Sequence, residues 1–170
     1  MTASLPSIRI GLGYDSHRLG NGGPLRIGGV DLPAEVHAIG HSDADVLLHS
    51  ITDAILGTVC EADIGRLFPD DAEENRGRDS QDFVLEAIQR LRHHSMQIVN
   101  LDCVIIAERP KMAPHIDEMR HAVSELLDIS IDRVSIKAKT AEGIGAIGDA
   151  AAIACHVVVL ACGTANSLSP

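Results

Sequence analysis

The chain has no tryptophan, one tyrosine and two phenylalanines, so aromatic residues make up 2% of its 170 positions. Base stacking, the usual means of gripping single-stranded nucleic acid, needs more rings than this. The core must be built from Ile, Leu, Val and Ala. Positive charge is also scarce. Fourteen Lys and Arg stand against 24 Asp and Glu, for a net charge of −10, and no basic stripe is visible. That balance excludes an electrostatic footprint for nucleic acid, so no nucleic-acid partner is expected. No apolar run reaches transmembrane length, and no membrane partner is expected. Residues 1–7 lack signal-peptide or transit-peptide character. The four cysteines, Cys60, Cys103, Cys155 and Cys162, form no CxxC pair. Their apolar neighbours predict buried free thiols rather than a disulfide framework or zinc knuckle. The expected compartment is the cytoplasm. No GxSxG occurs, and no cysteine has a polar setting that would lower its pKa.

What remains is an ordinary globular composition, 45% hydrophobic and 22% charged. The length fits one domain over residues 1–170, with a core at 7–162 and tails at 1–6 and 163–170. Residues 8–14 (IRIGLGY) read as a strand ending at Asp15. Residues 25–32 read as a hairpin turning at Gly28-Gly29. Residues 33–40 read as a loop. A helix is predicted from about His41 to Gly57, capped by Ser42 or Asp43, and a second from Ser80 to about His94. Residues 71–78 are charged, with no apolar anchor, and predict a mobile surface segment. Strands are predicted at 98–107, 134–139 and 150–161, with a helix after Pro114 between the first two. The fold class is therefore an α/β (α+β) sandwich. It has a mixed four-stranded sheet with helices mainly on one face.

Asp15 and His17 are two apart, so on an extended strand they share a face. A carboxylate and an imidazole on one face can grip a cation, but a catalytic zinc usually takes three protein ligands and keeps a fourth position open. His49 is the candidate for the third. It lies on the predicted helix with Asp45 and Asp53 one turn to either side, as in the carboxylate–histidine pairs that steady metal ligands. Spacing alone leaves a second reading open, a polar helix face that caps and solvates itself. Residues 143–148 (GIGAIG) spell a dinucleotide fingerprint, GxGxxG. No acidic residue follows about 20 positions later, and the glycines are read as shaping a loop. Lys139-Thr140-Ala141-Glu142 just before it could meet a phosphate and a divalent ion.

Taken together the motifs resemble the 2-C-methyl-D-erythritol 2,4-cyclodiphosphate synthase family of the non-mevalonate isoprenoid pathway. The carrying segments are GYDSHRL (13–19), IGGV (27–30), GHSDADVLLHSITDAILG (40–57), DIGRLFPD (63–70), RDS (78–80), ERPKMAPHIDEMR (108–120) and KAKTAEGIG (137–145). The likeness spans about residues 8–160. It implies Asp15, His17 and His49 as zinc ligands and Glu142 as the ligand of a second ion, Mg2+ or Mn2+. These four are the implied catalytic residues. It implies His41 and Ser42 as phosphate contacts, and Asp63 and Gly65 as contacts to the methylerythritol diol. Ala107, Lys111, Met112 and Ala113 would form the cytidine-diphosphate loop, with Thr140 on phosphate. Phe68, Asp70 and Lys139 complete the implied substrate-binding set. The assembly implied is a homotrimer with active sites between subunits.

The implied substrate is 4-diphosphocytidyl-2-C-methyl-D-erythritol 2-phosphate. Its 2-phosphate would attack the β-phosphorus, release CMP and close a cyclic diphosphate. The nucleophile is already an anion, so the protein has to align groups and spread charge. Two departures stand out. Lys139 replaces a frequent Thr, and Gly148-Asp149-Ala150-Ala151 replaces a Gly-Arg-Gly-Glu-like run. The lost arginine usually faces the trimer axis, where some members bind an isoprenoid diphosphate, and Asp149 would repel such a ligand. The rival readings are a zinc-dependent phosphohydrolase on a similar scaffold and a non-catalytic metal- or isoprenoid-binding trimer.

Overall fold

The computed structural model describes residues 7–69 and 71–163. These residues form seven strands in two sheets: β1 (Ile8–Asn21), β2 (Leu25–Ile27), β3 (Val30–Leu32), β4 (Val36–Ile39), β5 (Met96–Ile106), β6 (Val134–Lys139) and β7 (Ala152–Gly163). The helices are α1 (Val46–Thr58), α2 (Ile64–Leu67), α3 (Ser80–His93), α4 (Ile116–Leu127) and α5 (Gly145–Gly148). The main sheet has five strands, not the expected four, in the order β4-β1-β7-β5-β6, and β2-β3 forms a separate hairpin. The extra strand, β4, lies in the stretch read as a loop and pairs antiparallel with the far half of β1. Its four residues carry only a brief alternation. The partner that makes it a strand is β1 itself, which continues past Asp15 to Asn21.

Among the described residues only β5 and β6 pair in parallel, and α4 connects them. An irregularity in β5 between Ile98 and Asn100 switches the inward-facing residues from Met96 and Ile98 to Leu101, Cys103 and Ile105. Such a bulge keeps apolar residues on the core side on both halves of a long strand.

Strand β1 positions the functional residues. Its odd members, Gly11, Gly13, Asp15 and His17, share the helix-covered face, and its even members, Ile8, Ile10, Leu12 and Tyr14, lie on the other. A Cβ on Gly11 would lie 1.8 Å from the Ala54 carbonyl oxygen, and one on Gly13 would lie 1.9 Å from that of Ser50. The two glycines thus let α1 lie against the strand, just below Asp15 and His17. The core between sheet and helices is aliphatic, including Leu47, Leu48, Ile51 and Ile55 from α1, Leu91 from α3 and Val157 and Val159 from β7.

Among the described residues of the single chain nothing covers the far face of the sheet. Ile8, Ile10, Leu12 and Tyr14 are 53–68% exposed there, and Val158 of β7 is 42% exposed. All four cysteines are free, but only Cys103 and Cys155 are buried, while Cys60 is exposed. Burial pushes the Cys155 thiol up to about 12. Among the described residues no helix is long and apolar enough to cross a membrane.

Candidate functional site

Helix α1 begins later than its sequence suggests. Ser42, Asp43 and Asp45 are all capping residue types, and Asp45 is the one that caps. Its buried carboxylate accepts from Leu47 N and Leu48 N, and also from Gly28 N at 2.8 Å and Gly29 N at 2.7 Å in the hairpin turn. Both glycines have positive φ, as that turn requires. One side chain therefore fixes where the helix starts and where the hairpin sits. His49 follows one turn later.

Asp15, His17 and His49 converge as the only group of this kind among the described residues that could hold a metal ion. Asp15 Oδ2 lies 2.9 Å from His17 Nε2 and 3.0 Å from His49 Nδ1, and the two ring nitrogens are 3.1 Å apart. Tetrahedral ligands about 2.0–2.1 Å from a zinc ion are about 3.3 Å from each other, so this triangle needs to open by only a few tenths of an ångström. Burial works to raise the Asp15 pKa, but hydrogen bonds and charge from His17 and His49 outweigh it and hold the carboxyl well below the usual range. Burial works to lower that of His17, and Asp15 outweighs it and pulls it up. Each group stabilises the charge its neighbour carries. Gly40 leaves room for the His17 ring, since a Cβ there would lie 3.2 Å from its Cε1.

The second side of His49 corrects the sequence reading. Neither Asp45 nor Asp53 holds its far nitrogen. Asp45 serves the helix cap, and Asp53 accepts from Ile64 N at 2.8 Å, fixing the start of α2. Burial pushes the Asp53 carboxyl up. The partners of His49 Nε2 are Ser80 Oγ at 2.8 Å and Ser42 Oγ at 3.1 Å. Ser80 was quoted in a motif but not predicted as a site residue. It lies 31 positions away, and only the packing of α3 against α1 brings it in.

The cluster opens into a cleft of about 420 Å³. Of the residues the resemblance implies as substrate contacts, His41, Ser42, Gly65 and Phe68 line it, together with Asn75 and Phe83, which sequence reasoning missed. Asp63 caps α2 beside it, accepting from Arg66 N. Phe68 and Phe83 pack with ring centroids 4.6 Å apart, and the Arg78 guanidinium lies over both rings. The 71–78 segment is anchored after all. Asn75 is buried and donates to the Pro69 carbonyl, and Gly77 N donates to that of His41. Asp70 lies outside the described residues.

The other predicted residues gather elsewhere. Ala107 N donates to Lys139 O, Gly143 N donates to Glu108 Oε1, and Thr140 Oγ1 donates to Glu142 Oε1 at 2.5 Å. Ala107 and Met112 are buried, while Lys111, Ala113, Lys139 and Thr140 are exposed. None of this group lines the cleft, and Glu142 does not join the Asp15 cluster. The register nevertheless places both groups at one end of the sheet. His17 pairs with Ile153, Ile106 with Ala154, and Lys139 with Ile106. Strand β7 separates them.

Fold and site together define a class: a mixed α/β domain that holds a histidine–aspartate metal-binding group at the floor of an open cleft. Comparison with known proteins supplies the family. The chain belongs to the YgbB family, whose model matches residues 8–162. It is 61% identical over 161 residues to a 2-C-methyl-D-erythritol 2,4-cyclodiphosphate synthase of Rhodopirellula baltica, covering 94% of this chain and 97% of that protein. It is 46% identical to the synthase of the same name from Aliivibrio salmonicida, covering 90% and 96%. The solved structure of an IspF–CDP complex from Plasmodium falciparum matches with a TM-score of 0.83 at 34% identity, over 95% of this chain and 99% of that one.

Proposed function

We propose that this chain is a phosphorus–oxygen lyase of isoprenoid biosynthesis. It converts 4-diphosphocytidyl-2-C-methyl-D-erythritol 2-phosphate to 2-C-methyl-D-erythritol 2,4-cyclodiphosphate and CMP. The observation that carries the reading is the Asp15–His17–His49 triangle at the cleft floor, in a chain that matches synthases of this name along nearly their whole length.

The three ligand atoms fit a zinc ion, which when bound would polarise the β-phosphate. The remaining work falls to the chain. The 2-phosphate oxygen forms the new bond to the β-phosphorus. The bond from that phosphorus to the bridging oxygen breaks, and its electron pair leaves on CMP. His41 and Ser42 orient the phosphates. His41 Nδ1 is buried and has no hydrogen-bond partner among the described residues, which suits a group reserved for a ligand. Asp63 and Gly65 receive the diol, and the Phe68–Phe83 wall keeps water from competing.

Glu142, braced by Thr140, fits a Mg2+ or Mn2+ ion, which commonly takes one or two carboxylates and fills its shell with substrate phosphate and water. Ala107, Lys111, Met112, Ala113, Lys139 and Thr140 would take the cytidine-diphosphate end. The separation of this group from the cleft within one chain fits a homotrimer with sites between subunits, and so does the uncovered stripe of Ile8, Ile10, Leu12, Tyr14 and Val158.

His49→Ala tests the assignment. It should abolish zinc uptake and cyclase activity while the oligomer persists. Full activity in zinc-free His49→Ala protein would sink it.

A further inference from the structure

His49 sits between two accepting systems. On one side its Nδ1 faces Asp15 Oδ2 and His17 Nε2. A cation bound there needs the Nδ1 lone pair, so the ring's remaining proton must sit on Nε2. On the other side Nε2 faces the Ser80 hydroxyl, which can donate or accept. Asp43 determines which. The Ser80 hydroxyl donates to Asp43 Oδ1 in a short hydrogen bond, and this commits its only hydrogen. Ser80 Oγ is then left to accept from Nε2–H.

Asp43 is itself held by donors. Its Oδ2 accepts from Ser80 N at 3.2 Å and from Arg26 Nε at 3.1 Å, and its Oδ1 also accepts from Asp45 N at 3.2 Å. Arg26 also pairs with Asp31 across the β2-β3 hairpin at 3.1 Å, and its bond to Asp43 ties that hairpin to the loop before α1. Ser80 is fully buried, whereas Ser42, the other neighbour of Nε2, lines the cleft. Ser42 Oγ accepts from Ala44 N, and its hydrogen remains available to a ligand.

We propose that Asp43 and Ser80 are positioning residues. Through the chain Asp43–Ser80–His49 they hold the proton of His49 on Nε2, fix the ring, and present Nδ1 as a metal ligand. This rests on reading the Asp15 cluster as a metal site. Partners of this kind typically change metal affinity by 10–100-fold.

Asp43→Asn reverses the polarity of the chain. The Oδ2 position faces two fixed donors, Arg26 Nε–H and Ser80 N–H, and the Oδ1 position only one, Asp45 N–H, so the NH2 group takes the Oδ1 position, gives up the Asp45 bond and donates to Ser80. The Ser80 hydroxyl would then donate toward Nε2, where the proton has to be. The test uses the full-length protein labelled with 15N-histidine, with Zn2+ alone as the probe. Zinc affinity is measured by competition with a chromophoric chelator, and the His49 Nε2–H resonance is followed by NMR with and without zinc.

The proposal predicts an exchange-protected Nε2–H signal in the wild type. Ser80→Ala should lose it and bind zinc about tenfold more weakly, Ser80→Thr should restore both, and Asp43→Asn should bind about 10–100-fold more weakly. If Asp43→Asn fails to fold, the Ser80 pair decides. Wild-type zinc affinity in Ser80→Ala, or no protected Nε2–H in the wild type, would overturn the proposal. A wild type that takes up no zinc but keeps a Ser80-dependent Nε2–H signal would refute the metal reading and leave the positioning chain standing.

Discussion

Replacing Asp45 perturbs the element that aims His49 without touching the metal cluster. The carboxylate accepts four backbone N–H groups, from Gly28, Gly29, Leu47 and Leu48, and is fully buried. Bonds to a charged acceptor contribute about 1.5–3 kcal/mol each. Burial opposes them, since it pushes this carboxyl's pKa up and keeping the charge costs desolvation energy. The net effect is easiest to judge from what alanine leaves behind. Loss of an N-cap costs about 1 kcal/mol. The buried Gly28 N–H loses its partner at about 2 kcal/mol, and the partly exposed Gly29 N–H loses less because water can reach it. Asp45→Ala should therefore destabilise the fold by about 4 kcal/mol, at the upper end for a single substitution. Asp45→Asn should cost about 1–2 kcal/mol, because its amide oxygen can still serve the three donors on the Oδ1 side while only the Gly29 bond is lost. Urea denaturation at fixed protein concentration measures both. With a slope of about 2 kcal/mol/M, alanine should lower the midpoint by about 2 M. A loss under about 1 kcal/mol for alanine, or a greater loss for asparagine than for alanine, would refute this account of the α1 start.

The other predictions concern packing and assembly. Gly13→Ala places a Cβ 1.9 Å from the Ser50 carbonyl oxygen. It should cost about 3 kcal/mol or more by overpacking and weaken zinc binding, because α1 must move away from β1; wild-type stability and zinc affinity would contradict the close-approach argument. Leu12→Asp, on the uncovered sheet face, should yield a folded monomer by analytical ultracentrifugation, and an undiminished trimer would show that this face is not the interface. Phe83→Ala should open the cleft wall and lower kcat with the zinc content unchanged. Unchanged kcat would remove the wall from the account.

The sequence made one part of the site legible because it rests on local periodicity. Asp15 and His17 share a face by strand alternation, His49 falls on a largely apolar helix that begins after a run of capping residues, and the Gly28-Gly29 turn marks its hairpin. The rest is set by tertiary contacts that no spacing encodes. Three residues before α1 could cap it, and only the Gly28 and Gly29 amides select Asp45. The polar stripe of Asp45, His49 and Asp53 suggested that a carboxylate holds the ring, yet each acid is used elsewhere and a serine from α3 takes that place. Strand β4 is too short to read without its partner. The buried Asn75 is hidden in a run of charge. Family resemblance supplied the Glu142 group, which sits across β7 from the cluster.

The most direct test is the fate of the substrate. The purified protein with Zn2+ and Mg2+ is incubated with 4-diphosphocytidyl-2-C-methyl-D-erythritol 2-phosphate, and the products are followed by 31P NMR. The account predicts CMP and a cyclic diphosphate in equal amounts, with both cyclic phosphorus atoms coupled to each other. CMP accompanied by linear phosphates would identify a hydrolase, and recovery of unchanged substrate would contradict the assignment altogether.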